Sequence, residues 1–391
     1  MGASNMQIAE NIAYVGVNDH DIDLFEGQYD VRQNGMSYNS YVVVGQKVAV
    51  MDTVDGHFVG EWLGNLDAAL AGRTPDYLVV HHMEPDHSAG IAAFMERYPA
   101  AQVVASAPAF KMMRAYFGTD FADRRVIAKE GFELDLGGHA LTFVGAANVH
   151  WPEVLFSYES TTKTLFSADG FGKFGALDVE DPEGWACEAR RYYFGIVGKF
   201  GRNVQTVLKK AAGLDIARIC PLHGPVLDQN LGYYLNLYNT WSSYESEDKG
   251  VTVAYASVYG NTRQAALELA GALEARGQKV SVFDLARDDM AEAVEDAFRY
   301  DRLVLASVTY NGGVFPCMGT FIRTLAEHAF QNRTVALVES GTWAPTAAKV
   351  MRAQLEEMKD VSVAEQVVTV RGALDDASRT QIAALADELC A

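Results

Sequence analysis

Cysteine is scarce in this chain. Its 391 residues include four, Cys187, Cys220, Cys317 and Cys390, with no C-x-x-C pair among them. That excludes a rubredoxin-type or iron–sulfur site built on paired cysteines and argues against a disulfide framework. Positive charge is also short. With 32 basic against 51 acidic residues the formal charge is −19, so nucleic acid and anionic membrane surfaces, which need basic patches, are excluded as partners. No uninterrupted apolar stretch is long enough to span a bilayer. Residues 1–6 lack the charged start and apolar core of a signal peptide, and Met6 breaks a myristoylation pattern. The expected location is the cytoplasm.

What the chain does have is a cluster of metal-capable side chains. His81-His82-Met83-Glu84-Pro85-Asp86-His87 follows the apolar run Tyr77-Leu78-Val79-Val80, where a buried strand would empty into a loop. Read as H-x-E-x-D-H, it offers two imidazoles and two carboxylates within six residues. One ion cannot easily take all four from so short a segment, but two adjacent ions can. The mixed set favours iron or manganese over a thiolate-type zinc site. Three further candidates end apolar runs downstream: His150 after Leu141 to Gly145, Asp169 after Thr164 to Ala168, and His223 after Ile219 to Leu222. The other five histidines, His20, His57, His81, His139 and His328, lack that context and read as ordinary surface or core residues, with His81 the exception to watch because it touches the motif.

The succession H-x-E-x-D-H, His150-Trp151-Pro152, Phe166-Ser167-Ala168-Asp169 and Leu222-His223-Gly224 resembles the metallo-β-lactamase-type domain of the flavodiiron proteins, or A-type flavoproteins. Hydrolytic relatives of that fold carry H-x-H-x-D-H and usually zinc. Glu84 stands here where their second histidine would be, and an added carboxylate helps to stabilise ferric iron. Position by position, the resemblance implies His82, Glu84 and His150 on one iron, Asp86, His87 and His223 on the other, and Asp169 between them. It also covers Phe25-Glu26-Gly27 and Gly35 to Ser40. Some members have histidine at the Glu26 position, which offers Glu26 as a proton donor near the metals; the alternative is a solvent-facing glutamate. In Arg191-Tyr192-Tyr193-Phe194-Gly195 the second tyrosine, Tyr193, is the expected hydrogen-bond donor to the pocket, against simple aromatic packing.

At this length two or more domains are expected, and 49% hydrophobic with 21% charged residues is an ordinary globular balance. Strands are predicted over Ile8 to Val17, Tyr38 to Val44 and Lys47 to Thr53, and helices around His57 to Ala71, Ala89 to Tyr98 and Ala107 to Phe117. The family's αββα sandwich would accommodate them. The polar stretch Ser242 to Gly250 marks a boundary, giving a di-iron domain over 1–248 and a flavodoxin-like, FMN-binding domain over 249–391.

After that boundary Val251 to Ala256 reads as a buried strand, and Ser257-Val258-Tyr259-Gly260-Asn261-Thr262 opens a helix running to about Arg276. Small and hydroxyl residues there leave backbone N–H groups free to hold a phosphate at the positive end of the helix. The segment resembles the S/T-x-T/Y-G-N-T loop of flavodoxins. Strand-like runs recur at Lys279 to Leu285, Arg302 to Ser307, Thr334 to Glu339 and Val361 to Val370, the alternation of a doubly wound parallel sheet. Two further loops would emerge beside the first, Thr309-Tyr310-Asn311-Gly312-Gly313 and Ser340-Gly341-Thr342-Trp343, with Tyr310 and Trp343 flanking a flavin ring. Trp343 lies in a segment that departs from the family pattern, and a packed surface aromatic is its alternative.

The fold class is therefore α/β, an αββα metallo-β-lactamase-like sandwich followed by a flavodoxin-like sheet. The resemblance implies reduction of dioxygen to water or of nitric oxide to nitrous oxide at a di-iron centre that FMN re-reduces. It implies a head-to-tail homodimer, which could assemble into a tetramer, and, with no rubredoxin module expected in the chain, an external donor such as rubredoxin or a reduced deazaflavin. Two other readings stay open here, a zinc hydrolase with an appended flavodoxin domain and a non-catalytic flavin carrier. Glu84 stands against the first and the seven metal candidates against the second.

Overall fold

The computed structural model describes residues 6–391, so the features noted in residues 1–5 lie outside it. Contacts divide the chain into two compact units, one of residues 6–193 with 202–239, the other of 194–201 with 240–391.

The first unit is built on two sheets. Seven strands form the first, in the spatial order Gln7–Ala9, Ile12–Tyr14, Tyr41–Val44, Val48–Met51, Tyr77–Val79, Gln102–Ser106, Arg125–Ala128. Five form the second, in the order Glu133–Asp135, Ala140–Gly145, Leu155–Glu159, Thr164–Phe166, Arg218–Cys220. Tyr14, Tyr41, Met51 and Val79 from one sheet meet Leu141, Phe143, Leu155 and Phe166 from the other in one buried cluster. Outside, the helix Val59–Leu70 buries Trp62, Leu66 and Leu70, and the helix Ala107–Phe117 buries Ala109, Phe110 and Met113.

The helices fall where apolar spacing predicts them, but the first strands are shorter. The run Ile8 to Val17 splits because Asn11 takes φ +58 and folds Gln7–Ala9 back on Ile12–Tyr14. The run Tyr38 to Val44 is likewise divided into Met36–Tyr38 and Tyr41–Val44. Tyr77–Val79 lies between two parallel neighbours and is fully buried, and the H-x-E-x-D-H motif begins just beyond its C-terminal end.

The second unit is a parallel sheet in the spatial order Val280–Asp284, Asp248–Ala256, Tyr300–Tyr310, Arg333–Ser340, Val361–Val370. In chain order this is 2-1-3-4-5. The helices Asn261–Glu274 and Asp376–Cys390 cover one face through Leu269, Leu273, Ile382, Leu385 and Leu389. The helices Met290–Arg299, Pro316–Glu327 and Ala347–Leu355 pack on the sheet as well, burying Phe298, Phe321, Leu325 and Met351. The order reverses between Asp248–Ala256 and Tyr300–Tyr310, and ligands of such sheets bind beyond the strand ends at that point.

Candidate metal centre and strand-end loops

Six residues can feed two metal positions because the backbone turns between them. Glu84 is extended, with φ −59 and ψ 140, and Pro85 then starts the single helical turn Pro85–Ser88. Glu84 therefore points back with His82, while Asp86 and His87 leave on the next turn. His82, Glu84, His150 and Asp169 form one group whose ligand atoms all lie within 4.8 Å of one another, and Asp86, His87 and His223 form a second.

Asp169 faces both groups. Its Oδ2 lies 3.0 Å from His150 Nε2 and 3.3 Å from His82 Nε2, and its Oδ1 lies 3.4 Å from His87 Nε2. Glu84 Oε2 is 3.2 Å from His82 Nε2 and 3.0 Å from His150 Nε2, and Asp86 Oδ2 is 3.2 Å from both His87 and His223. These separations match the edges of polyhedra with metal–ligand bonds of about 2.0–2.2 Å. The buried oxygens of Asp86 and Asp169 make no well-directed hydrogen bond although imidazole nitrogens lie close by. Atoms that converge at such distances without aiming at one another fit a shared cation between them, so the residues present suit two metal ions.

The groups hold one another in unusual protonation states. Burial would raise the Asp169 carboxyl, but the charge of His82 and contacts with His150 and His87 hold it well below the carboxylate range. Burial likewise works against protonated His150, yet Asp169 and Glu84 push it up to about 9. His82 moves up for the same reason. Glu84 is depressed below the carboxylate range: burial opposes this, and bonds with His150 and His82 prevail. Protons thus occupy the role that cations would take.

Second partners aim the imidazoles. His82 Nδ1 meets Glu153 Oε1 at 2.9 Å, and the same oxygen accepts from Met83 N at 2.8 Å. His223 Nδ1 lies 2.7 Å from the Ser37 carbonyl. Asn39 Nδ2 donates to the Pro221 and Gly224 carbonyls, and Gly224 N donates to Ser37 Oγ. Gly224, at φ +80, is crowded by the Lys173 side chain, so a Cβ there would clash. Glu153 is absent from the sequence-based candidates; its one visible signal was its place three residues after His150.

His81 turns away from the metal groups. It is buried between Phe143 and Phe166, with Nδ1 2.5 Å from Asp52 Oδ2 and Nε2 2.8 Å from Ser157 Oγ, so it is a core histidine. Tyr192, rather than the expected Tyr193, packs on His223, with ring centroids 5.5 Å apart. The Tyr193 ring packs on Tyr238 at 5.1 Å. The helix Trp185–Tyr192 ends at this point, and neighbouring residues of a helix lie about 100° apart around its axis, so the two rings face different partners. Glu26 is solvent-exposed at one side, at φ +50, yet partial burial and the charge of Glu84 raise its carboxyl to about 7.

In the second unit the three expected loops gather at the switch point. Gly260 takes φ +94 at the start of the helix Asn261–Glu274, and its N–H donates to Ser257 Oγ. Thr262 and Ser340 join hydroxyls at 2.7 Å. Thr309 to Gly313 is a hairpin rather than a loop: Thr309 pairs with Val314 and Tyr310 with Gly313 around Asn311-Gly312, both at positive φ, the arrangement an Asn-Gly turn favours. Gly341 N donates to the Val370 carbonyl, and Thr342 follows it. Tyr259 is 94% exposed and Trp343 82%, with Val258 and Tyr310 partly open. Trp343 is therefore not a packed surface aromatic. Exposed aromatic faces around a hydroxyl-lined helix start suit a flat aromatic ligand carrying a phosphate.

Comparison with known proteins follows the same division. Residues 36–224 match the family described as ODP family beta lactamase, and residues 252–380 match a flavodoxin domain family. A putative diflavin flavoprotein A 2 of Synechocystis sp. is 27% identical over 98% of this chain, which spans 65% of that relative's length. A nitric oxide reductase of Moorella thermoacetica is 28% identical over 93% of this chain and 92% of its own. The solved rubredoxin oxygen:oxidoreductase of Desulfovibrio gigas superposes with a TM-score of 0.92 at 22% identity, covering 99% of this chain and 98% of that one, a likeness of fold.

Proposed function

Because the chain belongs to the flavodiiron proteins, we propose that it is an oxidoreductase that reduces dioxygen to water, nitric oxide to nitrous oxide, or both. Its fold is the αββα metallo-β-lactamase-like sandwich followed by the flavodoxin-like doubly wound sheet. The observation that carries the proposal is Asp169, whose two carboxylate oxygens face two separate groups of histidine and carboxylate.

His82, Glu84 and His150 would hold one iron, Asp86, His87 and His223 the other, with Asp169 shared. Ser257 to Thr262 would hold the FMN phosphate, and Thr309 to Gly313 and Ser340 to Trp343 the ring. Two irons changing by one electron each and a flavin accepting one or two can together supply the four electrons that dioxygen needs, or the two that a pair of nitric oxide molecules needs. The protein's own part is to position and to deliver protons. Glu84 and Asp86 keep 17% and 11% of their side chains open and so form the mouth of the site. Glu26, whose carboxyl burial and the charge of Glu84 push up, would pass protons in from that side. The Tyr192 hydroxyl, which burial and the nearby carboxylates keep protonated, would remain a neutral donor. Trp151, edge-on to His82 at 5.2 Å, would exclude water from the opposite side.

The proposal also places the protein in the cytoplasm as a head-to-tail dimer that receives electrons from a separate rubredoxin or reduced deazaflavin. Among the described residues no helix is long and apolar enough to cross a membrane. The zinc hydrolase reading, which already includes an appended flavodoxin domain, is disfavoured by Glu84 and by the likeness to a nitric oxide reductase over 93% of this chain. The deciding experiment is metal and flavin content on protein purified anaerobically without added metal. About two irons and one FMN per chain, with consumption of either gas, are expected; zinc with little iron would overturn the proposal.

A further inference from the structure

Glu153 is a buried carboxylate whose charge serves one imidazole. It is 2% exposed. Its Oε1 receives both the Met83 amide and His82 Nδ1, and its Oε2 has no partner. No lysine or arginine pairs with it among the described residues. Burying such a charge is costly unless positive charge lies close by, and the group against it is the His82 ring, protonated in the metal-free fold or carrying a metal on its far nitrogen.

The two metal positions are unequal in this respect. Around the first stand Glu84, Asp169 Oδ2 and, behind His82, the Glu153 carboxylate. Around the second stand Asp86 and Asp169 Oδ1, and the partner behind His223 is the neutral Ser37 carbonyl. His87 Nδ1 has no partner at all. A carboxylate behind an imidazole makes it a stronger donor and favours the higher oxidation state of the metal it binds.

Resting on the di-iron reading, we propose that Glu153 is a positioning residue that makes the two irons unequal in potential, so that the iron at His82, Glu84 and His150 is the harder to reduce. It acts through His82, so its removal changes one site and leaves the other close to its original value. Glu153→Gln keeps an oxygen for His82 Nδ1 and removes only the charge.

The test is a redox titration of the iron-loaded full chain, followed by Mössbauer and electron paramagnetic resonance spectroscopy. Wild type is expected to reduce in two separate one-electron steps. In Glu153→Gln, with two irons retained, the lower step should shift about tenfold towards reduction, about 59 mV for one electron, while the upper step moves much less. Glu153→Asp, which restores the charge, should bring the lower step most of the way back. Unmoved steps, or two steps moved equally, would overturn the inference. If Glu153→Gln fails to hold iron, wild type decides: one-electron reduction to a species with distinct ferric and ferrous sites supports unequal positions, and a single valence-averaged species overturns them. Zinc in place of iron in wild type would instead remove the di-iron reading, and this inference with it.

Discussion

His87 Nε2 stands 2.9 Å from His223 Nε2, both fully buried, on residues 136 apart in sequence. Two neutral imidazoles meeting through these atoms can share at most one proton, and Asp86 and Asp169 lie within reach of both rings. The arrangement is a ligand set more than a hydrogen bond. Asp169→Ala removes the one residue common to both positions. Iron per chain should fall from about two to below one and gas consumption by at least about 100-fold, while FMN, held in the other unit, stays at wild-type occupancy. Metal analysis and gas-electrode assays check this, and full activity in the variant would sink the metal assignment.

Loading should depend on pH in a definite direction. In the metal-free fold His150 is pushed up to about 9 from an ordinary 6.5 by Asp169 and Glu84, against burial. A raised imidazole stabilises the fold fully below pH about 6.5 and loses that contribution as pH rises through about 9. Metal binding needs the neutral ring, so over the same window apparent affinity should rise about tenfold per pH unit for each proton released. Calorimetry of metal-free and loaded protein between pH 6 and 9 should show the two Tm values moving apart. Curves that stay parallel would contradict the linkage.

Trp343 is open to solvent, so its removal should cost binding and not folding. Trp343→Ala is expected to weaken FMN binding by about 1–3 kcal/mol, the scale of one aromatic stacking contact, with the Tm of the flavin-free protein unchanged. Flavin titration by fluorescence quenching measures the first and calorimetry the second. Unaltered FMN affinity would remove Trp343 from the flavin site.

Asp52 ties the strand end that carries the motif. Its Oδ1 accepts His81 N at 2.7 Å and its Oδ2 lies 2.5 Å from His81 Nδ1. Asp52→Ala leaves the buried His81 Nδ1 and the His81 backbone amide without their partner, which should cost about 1–3 kcal/mol and lower iron occupancy by letting the loop shift. Denaturant unfolding together with metal content tests it; an unchanged unfolding midpoint would show that water replaces the carboxylate.

The sequence by itself determined which metal-capable side chains follow apolar runs. Apolar runs precede His82, His150, Asp169 and His223 and read as strands with polar groups at their ends, and the Gly260-Asn261-Thr262 turn after a buried strand reads as a helix start. Those are local consequences of burial and backbone stereochemistry, and spacing carries them. Tertiary structure decided the rest. Asn11 and Asn39-Ser40 break strands that periodicity alone joined. Tyr192 meets His223 while Tyr193 meets Tyr238, and which of two adjacent helical tyrosines faces the site depends on how the helix is packed. Glu153 reaches His82 across 71 residues, and Asp52 reaches His81 across 29. Such pairs depend on which strands lie side by side and in what register, and that is settled by the packing of whole sheets, not by the order of residues along the chain.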